Sequence, residues 1–519
     1  MVRNRILVLA YLAFITRGAF YCVLMPMWEG FDEWAHFAYI EKLADTGRLP
    51  ARTDSISPEL QRSLESMPLS ASAAEAVPGA ITHDRYWDVK GERSPIPSSP
   101  LLKQYEAQQP PLYYSLLAPL YRAIRTASLP NRVLLLRLAS VLIASLVIPL
   151  GYAIAIRATG DPALALVVPV LLVSLPGLFV DISRVGNESL AIVLTSTFIL
   201  CSFQVLREQS SLRDWVFLGV SLAALLLTKA YALAFVPVLA LIAAIRFLKY
   251  PAGRSATLTG LASAFLCVGC LAGWWYWRCW TLTGTLSGEQ TDAAVSQLAI
   301  SQKLAAVFSM NWSRVIDAGA FSHIWVGGWS FLLVRSWMYR IFEAIGVVAL
   351  VGLLFSWKRQ KAHTVVLVAV YTSLCLALAY HALVTFLAKG IFTSLGWYLY
   401  AVIVPETVLV VLGLSSLVRN SAAAVCILAA ALDLYTVNFV LAPYYTGLIR
   451  HTASGNLAAF HLGPAVSVIF ERLSVNEASG ITLGVVACLW IAYLCATIGL
   501  VAIAVWLSRT LVAHPEPAR

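Results

Sequence analysis

Residues 6–20 read ILVLAYLAFITRGAF, and soon after comes Pro26-Met27-Trp28-Glu29-Gly30-Phe31-Asp32-Glu33-Trp34-Ala35-His36. Residues 6–25 form a mainly apolar run of about 20 residues, enough to cross a bilayer as a helix. An acidic pair follows at once, at the water–lipid boundary. Carboxylates beside hydrocarbon are costly to keep and mark functional sites by default. A carboxylate held there can accept a proton from an acceptor while a lipid-borne substrate arrives sideways from the bilayer. Arg3 and Arg5 ahead of the run mimic the start of a signal peptide. No small-residue cleavage site follows, and Pro26 leads straight into the acidic motif, so an uncleaved first helix is expected.

The rest of the chain has the same character. Hydrophobic residues make up 59% and charged residues 12% of it, with a mean hydropathy of +0.76. A soluble domain carries about twice that charge. The fold class expected is an all-α polytopic membrane protein, with no separate soluble domain. The net charge of +10 does not indicate nucleic acid, because much of the basic excess falls in short loops, where it sets orientation. Nine cysteines mostly sit inside apolar runs and read as small buried residues. Cys267 and Cys270 form a CxxC within a helix and without a partner pair, which argues against a zinc or redox site.

At about 20 residues per crossing the sequence threads through about twelve spans. These are 6–25, 133–156, 163–180, 189–206, 214–228, 231–247, 258–280, 337–356, 364–386, 398–416, 421–441 and 481–507. With the N-terminus inside, the inner connections hold Arg157, then Arg207 and Arg213, then Arg246, Lys249 and Arg254. Further along they hold Lys358, Arg359 and Lys361, then Arg419, Arg509 and Arg519. Asp161, Glu208, Asp214 and Glu516 are the few acids there. Every short inner connection is basic, as the positive-inside rule requires.

The long polar loops, 26–132, 281–336, 387–397 and 442–480, then share the outer face, where the chemistry is expected. The expected location is a cell (inner) membrane, both termini cytoplasmic and the active site periplasmic or extracellular. Two modules are expected: 1–250, carrying the catalytic first loop, and a more variable 251–519, carrying loop 281–336.

Asp32 and Glu33 lie about 100° apart around a helix and cannot act as a matched pair on one substrate. One faces the site and the other supports it, or both cap the following amphipathic stretch. A second cluster is Glu106-Ala107-Gln108-Gln109-Pro110-Pro111-Leu112-Tyr113-Tyr114. Its prolines start a helix over 112–124, expected to lie on the outer leaflet. Its polar residues can hydrogen-bond a head group or simply precede that helix. A third is Ser183-Arg184-Val185-Gly186-Asn187-Glu188-Ser189, where Glu188 is a second acidic site residue or a partner of Arg184. A fourth is a set of outer cations, among them Arg184, Lys229, Arg335 and Lys389. They suit a lipid phosphate, or snorkel to head groups. His36, His323, His381, His451 and His461 are placed outside without metal-ligand spacing, so no metal is expected.

GFDEWAHFAYIEKLADTGRLP (30–50) resembles the first-loop motif of the glycosyltransferase-C superfamily, particularly its protein mannosyltransferase-like and aminoarabinose-transferase-like members. EAQQPPLYYSLLAPLY (106–121) is similar to that group's juxtamembrane helix, and SRVGNESLAIVL (183–194) to its second acidic element. LTKAYALAFVPVL (227–239) resembles a segment that follows in the same order. The resemblance covers the first 240 residues. No WWDYG-like motif of an oligosaccharyltransferase occurs.

The resemblance implies a multi-span inverting glycosyltransferase using a polyprenyl-phosphate sugar as donor, with no cofactor required. The acceptor would be a lipid, glycan or protein. It puts Asp32 at the catalytic acidic position with Glu33 beside it. Glu188 stands where the family has Asp, and Asn187, Glu106 and His36 lie around it. A transporter of about twelve spans would show internal repeats and charged or broken helices near the midplane, and neither is expected here. A polysaccharide polymerase or ligase would use a large late loop, which 281–336 could supply.

Overall fold

The computed structural model describes residues 2–71, 81–89, 101–357, 362–391, 395–452, 457, 458, 460, 463–474 and 482–513. Lys358, Arg359, Lys361, His461, Glu516 and Arg519 lie outside the described residues.

The protein is a helical membrane bundle with one short parallel strand pair, Pro68–Leu69 with Ile81–Thr82. Backbone polar groups in hydrocarbon must be satisfied within the chain, and long apolar runs do so as helices. Ten helices are long and apolar enough to cross: Val2–Leu24, Leu129–Thr159, Glu188–Val205, Ala230–Lys249, Pro251–Thr283, Ser336–Phe355, Ala362–Lys389, Gly396–Leu417, Ser421–Tyr445 and Leu483–Ala513. Another crossing is broken into Pro162–Ser174 and Pro176–Ile182, bent by 60°. Proline causes the break. Pro176 lacks an N–H and drives Leu175 to an extended φ −78°, ψ 109°.

Leu212–Leu226 has only 15 residues, yet it joins opposite faces. At its end, Asn187 donates to Thr228 O at 2.8 Å. Before its start, Arg246 donates to Val205 O at 2.9 Å and Glu208 O at 3.0 Å. The chain therefore descends from Asn187 to Val205 and returns to Thr228. The connections around Arg157, Asp161, Arg246, Arg419 and Ser508 meet on the face away from Asp32. There His363 bonds Arg157 O, Arg419 pairs with Asp161, and Asn420 bonds Ser508.

Two buried charges tie the beginning of the bundle to its end. Arg17, in the first helix, meets Asp433 at 2.9 Å, both fully buried. Tyr21 donates to the same carboxylate at 2.7 Å, and Tyr493 of the last helix bonds it too.

Beyond the first helix, Glu33–Thr46 and Leu112–Ala123 pack on each other beside the bundle. Leu112–Ala123 starts directly after Pro111, as the two prolines predict. It buries Tyr113, Tyr114, Leu117, Ala118 and Tyr121 and leaves Leu116 exposed. Tyr39 stacks on Tyr114 with centroids 3.8 Å apart. Each such buried aromatic contributes about 2 kcal/mol through area removed from water. This second core holds the acidic motif over the ends of the membrane helices.

Candidate active site

Glu33 is buried, and its carboxylate accepts from four donors. Arg137 gives Nε at 2.6 Å and a terminal nitrogen at 2.5 Å, and the N–H groups of Trp28 and Val185 lie at 3.1 and 3.0 Å. Arg137 spends its remaining hydrogens on the carbonyls of Cys22, Met25 and Pro26. This set caps the open C-terminal carbonyls of the first helix with a cation, which suits the helix dipole.

With Glu33 so fixed, Asp32 stands apart. It occupies the N-cap position of Glu33–Thr46 at φ +53°, ψ +20°, and its side chain makes no capping bond. Capping therefore does not explain this acid. Left-handed backbone costs an L-residue about 1–2 kcal/mol, least for Asp and Asn. Trp28, four residues earlier, is also left-handed at φ +68°. Such strain gathers where a motif holds groups for function. The Asp32 carboxylate is half-buried and makes no ion pair or side-chain hydrogen bond among the described residues. Burial raises it to about 6, against the pull of Arg184 and Lys229 and with a push from Glu188.

Arg184, Glu188 and Lys229 form the charged wall beside it. Arg184 meets Asp181 and Glu188, each at 2.8 Å, and Lys229 meets Glu188 at 2.5 Å. Arg184 also donates to Phe31 O at 2.8 Å, which ties this wall to the residue before Asp32. Two glycines make room for the guanidinium. A Cβ on Gly30 would stand 2.5 Å from the Arg184 Cβ, and one on Gly186 would stand 2.2 Å from its terminal nitrogen. Two cations and two carboxylates balance within the wall. Lys229 uses one of its three N–H donors on Glu188, leaving capacity to bind an anion.

Glu106 completes the cluster from the side of the prolines. Burial first, then the Asp32 and Glu289 carboxylates, push it up to about 8. Among the described residues its Oε2 has no hydrogen-bond partner, nor do Gln108 Oε1 and Asn187 Oδ1. Gln109 accepts from Asn187 Nδ2 at 3.3 Å, so the second and third sequence clusters meet. His36 lies 2.7 Å from the Tyr114 hydroxyl. Burial, then Lys229 and Arg184, hold its imidazole well below the usual range, as a neutral ring.

Asp32, Glu106, His36, Arg184, Asn187, Glu188 and Lys229 are thus brought together. Arg335 and Lys389 are not. Both are exposed at helix ends, where a cation is free to reach head groups. The structure adds residues that sequence reading passed over. Glu29 accepts from His83 at 2.9 Å, Ser330 N–H at 2.6 Å and Tyr445 at 3.1 Å, anchoring the acidic motif to loop 281–336. Arg137 and Asp181 carried a signal in the sequence, since each interrupts an apolar run. Glu29 carried none, because its partners are 54 to 416 residues away. Among the described residues, no group of three or more His, Cys, Asp and Glu side chains is disposed to hold a metal ion.

No family model and no curated protein matches the chain. Among solved structures it is similar to ArnT from Cupriavidus metallidurans in the apo state, at 13% identity and a TM-score of 0.48, covering 98% of this chain and 78% of that one. The same protein bound to undecaprenyl phosphate gives 13%, 0.47, 98% and 77%. Archaeal oligosaccharyltransferase AglB from Archaeoglobus fulgidus, in complex with an inhibitory peptide and a dolichol-phosphate, gives 14% and 0.38, covering 96% and 56%.

Proposed function

We propose that this chain is an inverting membrane glycosyltransferase of the glycosyltransferase-C type. It moves a sugar from a polyprenyl-phosphate-linked donor to a lipid, glycan or protein acceptor on the outer face. One observation carries the reading. Glu33, Asp181 and Glu188 are each ion-paired, while Asp32 is held in a strained backbone with its carboxylate unengaged.

In this reading the acceptor oxygen or nitrogen attacks the anomeric carbon as the bond from that carbon to the phosphate oxygen breaks. The acceptor proton passes to Asp32, a base poised near 6. The polyprenyl phosphate departs as an anion and needs no general acid, unlike a glycosidase leaving group. The free N–H groups of Lys229 face the charge that grows on it. Arg184 positions Phe31 and Glu188, and Glu33 holds the motif's backbone. His36 and Asn187 shape the acceptor side, and Glu106, protonated near neutral pH, can donate a hydrogen bond there. No cofactor enters the step. Basic connections lie on the face opposite Asp32, which by the positive-inside rule supports cytoplasmic termini and a site outside.

The test compares surface glycans and lipids by mass spectrometry in cells with the gene, without it, and with Asp32→Asn. A glycan lost in both the deletion and the variant, with the variant protein inserted at normal levels, supports the reading. An unchanged glycan profile in the variant overturns it.

A further inference from the structure

A second site lies within the bundle, lined by none of the Asp32 cluster. A cavity of about 450 Å³ sits between the broken crossing at Pro176, the helix Trp312–Ile324 and the helices Ser336–Phe355, Ala362–Lys389 and Gly396–Leu417. That volume is in the range of small-molecule sites. Its walls are apolar except at one end, where His323 and Glu406 meet at 2.8 Å. Glu343 joins them on the lining.

The hydrogen bonding at that end has one sign. His323 Nδ1 faces Gly396 O at 3.1 Å and Nε2 faces Glu406, so both ring nitrogens point at acceptors. Three other donors on the lining are engaged as well. Trp312 donates to Val307 O at 2.8 Å, and Tyr400 and Thr407 donate to the carbonyls of His323 and Ile403, each at 2.6 Å. Two acceptors remain. Among the described residues Glu406 Oε2 is buried without a partner, and so is Glu343 Oε1, whose other oxygen takes Arg340 at 2.6 Å. A buried carboxylate oxygen left unbonded is costly, and a ligand that donates to it recovers that cost.

The lining reaches the outside of the bundle. Ser336–Phe355 and Ala362–Lys389 both pack on Gly396–Leu417, and their apolar windows are only 22% and 33% buried. Ile316 on the lining is 67% exposed. Gly346 lines the cavity, and a Cβ there would meet nothing within 4 Å.

We propose that this cavity binds a membrane lipid whose apolar chain fills the walls and whose head is a hydrogen-bond donor, a hydroxyl or an ammonium. Two carboxylates with an unengaged oxygen each repel a phosphate or carboxylate head. The site is therefore not a second place for an anionic carrier.

Photo-crosslinking tests it on the purified full chain in nanodiscs. The probes are diazirine-bearing hexadecanol, hexadecylamine, palmitate and hexadecyl phosphate, and the labelled residues are read by mass spectrometry. Alcohol or amine, whichever is the stronger, should label the cavity helices about tenfold more than the two anions. Which of the two wins identifies the head group. Gly346→Leu adds bulk on the lining without a local clash and should weaken labelling while thermal stability stays unchanged. Glu406→Gln should remove the preference between heads while leaving the chain bound. Equal labelling by all four probes, or undiminished labelling in folded Gly346→Leu, would overturn the proposal.

Discussion

Arg137 holds both oxygens of Glu33, at 2.6 and 2.5 Å, from a helix 104 residues further along the chain. The pair is buried and locks the exit of the first helix to the start of Glu33–Thr46. Asp32 takes its unusual backbone from this lock, because its neighbour cannot move.

Breaking the lock should therefore unfold more than it inactivates. Removing one member of a buried ion pair strands the other charge and costs about 3–5 kcal/mol. Arg137→Met should lower the melting temperature in detergent sharply. Lysine is no substitute at a bidentate site, so Arg137→Lys should recover only part of the loss. A melting curve of Arg137→Met equal to that of the wild type would show that the lock is dispensable.

Asp32→Asn should do the opposite. The Asp32 carboxyl is raised to about 6 from an ordinary value of 3.8. The folded state thus binds the proton more tightly than the unfolded chain, and stability falls as pH rises from near 4 to near 6. A neutral amide avoids that cost. Asp32→Asn should gain about 1 kcal/mol or more at pH 7, where the wild-type carboxylate is ionised. Transfer should fall by about 10²–10⁴-fold. A less stable variant would contradict the electrostatic account even if it were inactive.

The pH profile follows from the same group. A base must be ionised, so kcat/KM should drop as pH falls through about 6. Glu106, near 8, should set the alkaline limb if its proton is used, because a hydrogen-bond donor is lost when it ionises. In Glu106→Gln, which keeps a donor, the acidic limb should persist and the alkaline limb should move out of range. An alkaline limb unchanged in that variant would free Glu106 of the role.

Gly30→Ala tests the fit of the charged wall. The added Cβ would lie 2.5 Å from the Arg184 Cβ and 2.9 Å from its Cδ. Forcing atoms into a packed site costs about 1–3 kcal/mol. Arg184 must shift, and its bond to Phe31 O shifts with it. Transfer should fall by about tenfold or more for a misplaced base, whereas Gly47→Ala should leave turnover in place. Full turnover in Gly30→Ala would mean that the wall tolerates displacement.

Asp433 offers a test far from the proposed site. Asp433→Ala leaves Arg17 buried without a countercharge and Tyr21 without its acceptor, a loss of about 3–5 kcal/mol. The double variant Arg17→Leu with Asp433→Leu should be more stable than the single one. Thermal unfolding in detergent reads both, and a double variant weaker than the single would point to a role for the ion pair beyond neutrality.

Much of the bundle was legible in the order of residues. Apolar runs of spanning length must become helices in lipid, so the predicted crossings fall on helices, including the short return at Leu212–Leu226; the exception is 163–180, expected as one unbroken span and broken in two at Pro176. Pro110 and Pro111 marked the start at Leu112, because proline fits a first turn and little else in a helix. The motif around Asp32, the Glu188 segment and Lys229 could each be picked out by charge at a membrane exit. Linear order could not say which carboxylate was free. Glu33 and Asp32 look alike as neighbours, and only the arrival of Arg137 from another helix distinguishes the anchored acid from the available one. Likewise Arg335, Lys389, Arg184 and Lys229 read alike as outer cations, until packing left the first two at the surface and paired the others with Glu188 and Asp181. Hydrophobicity is a property of a run and is written in it. The ionisation and engagement of a side chain depend on what lies within a few ångströms, and that is settled only when distant segments meet.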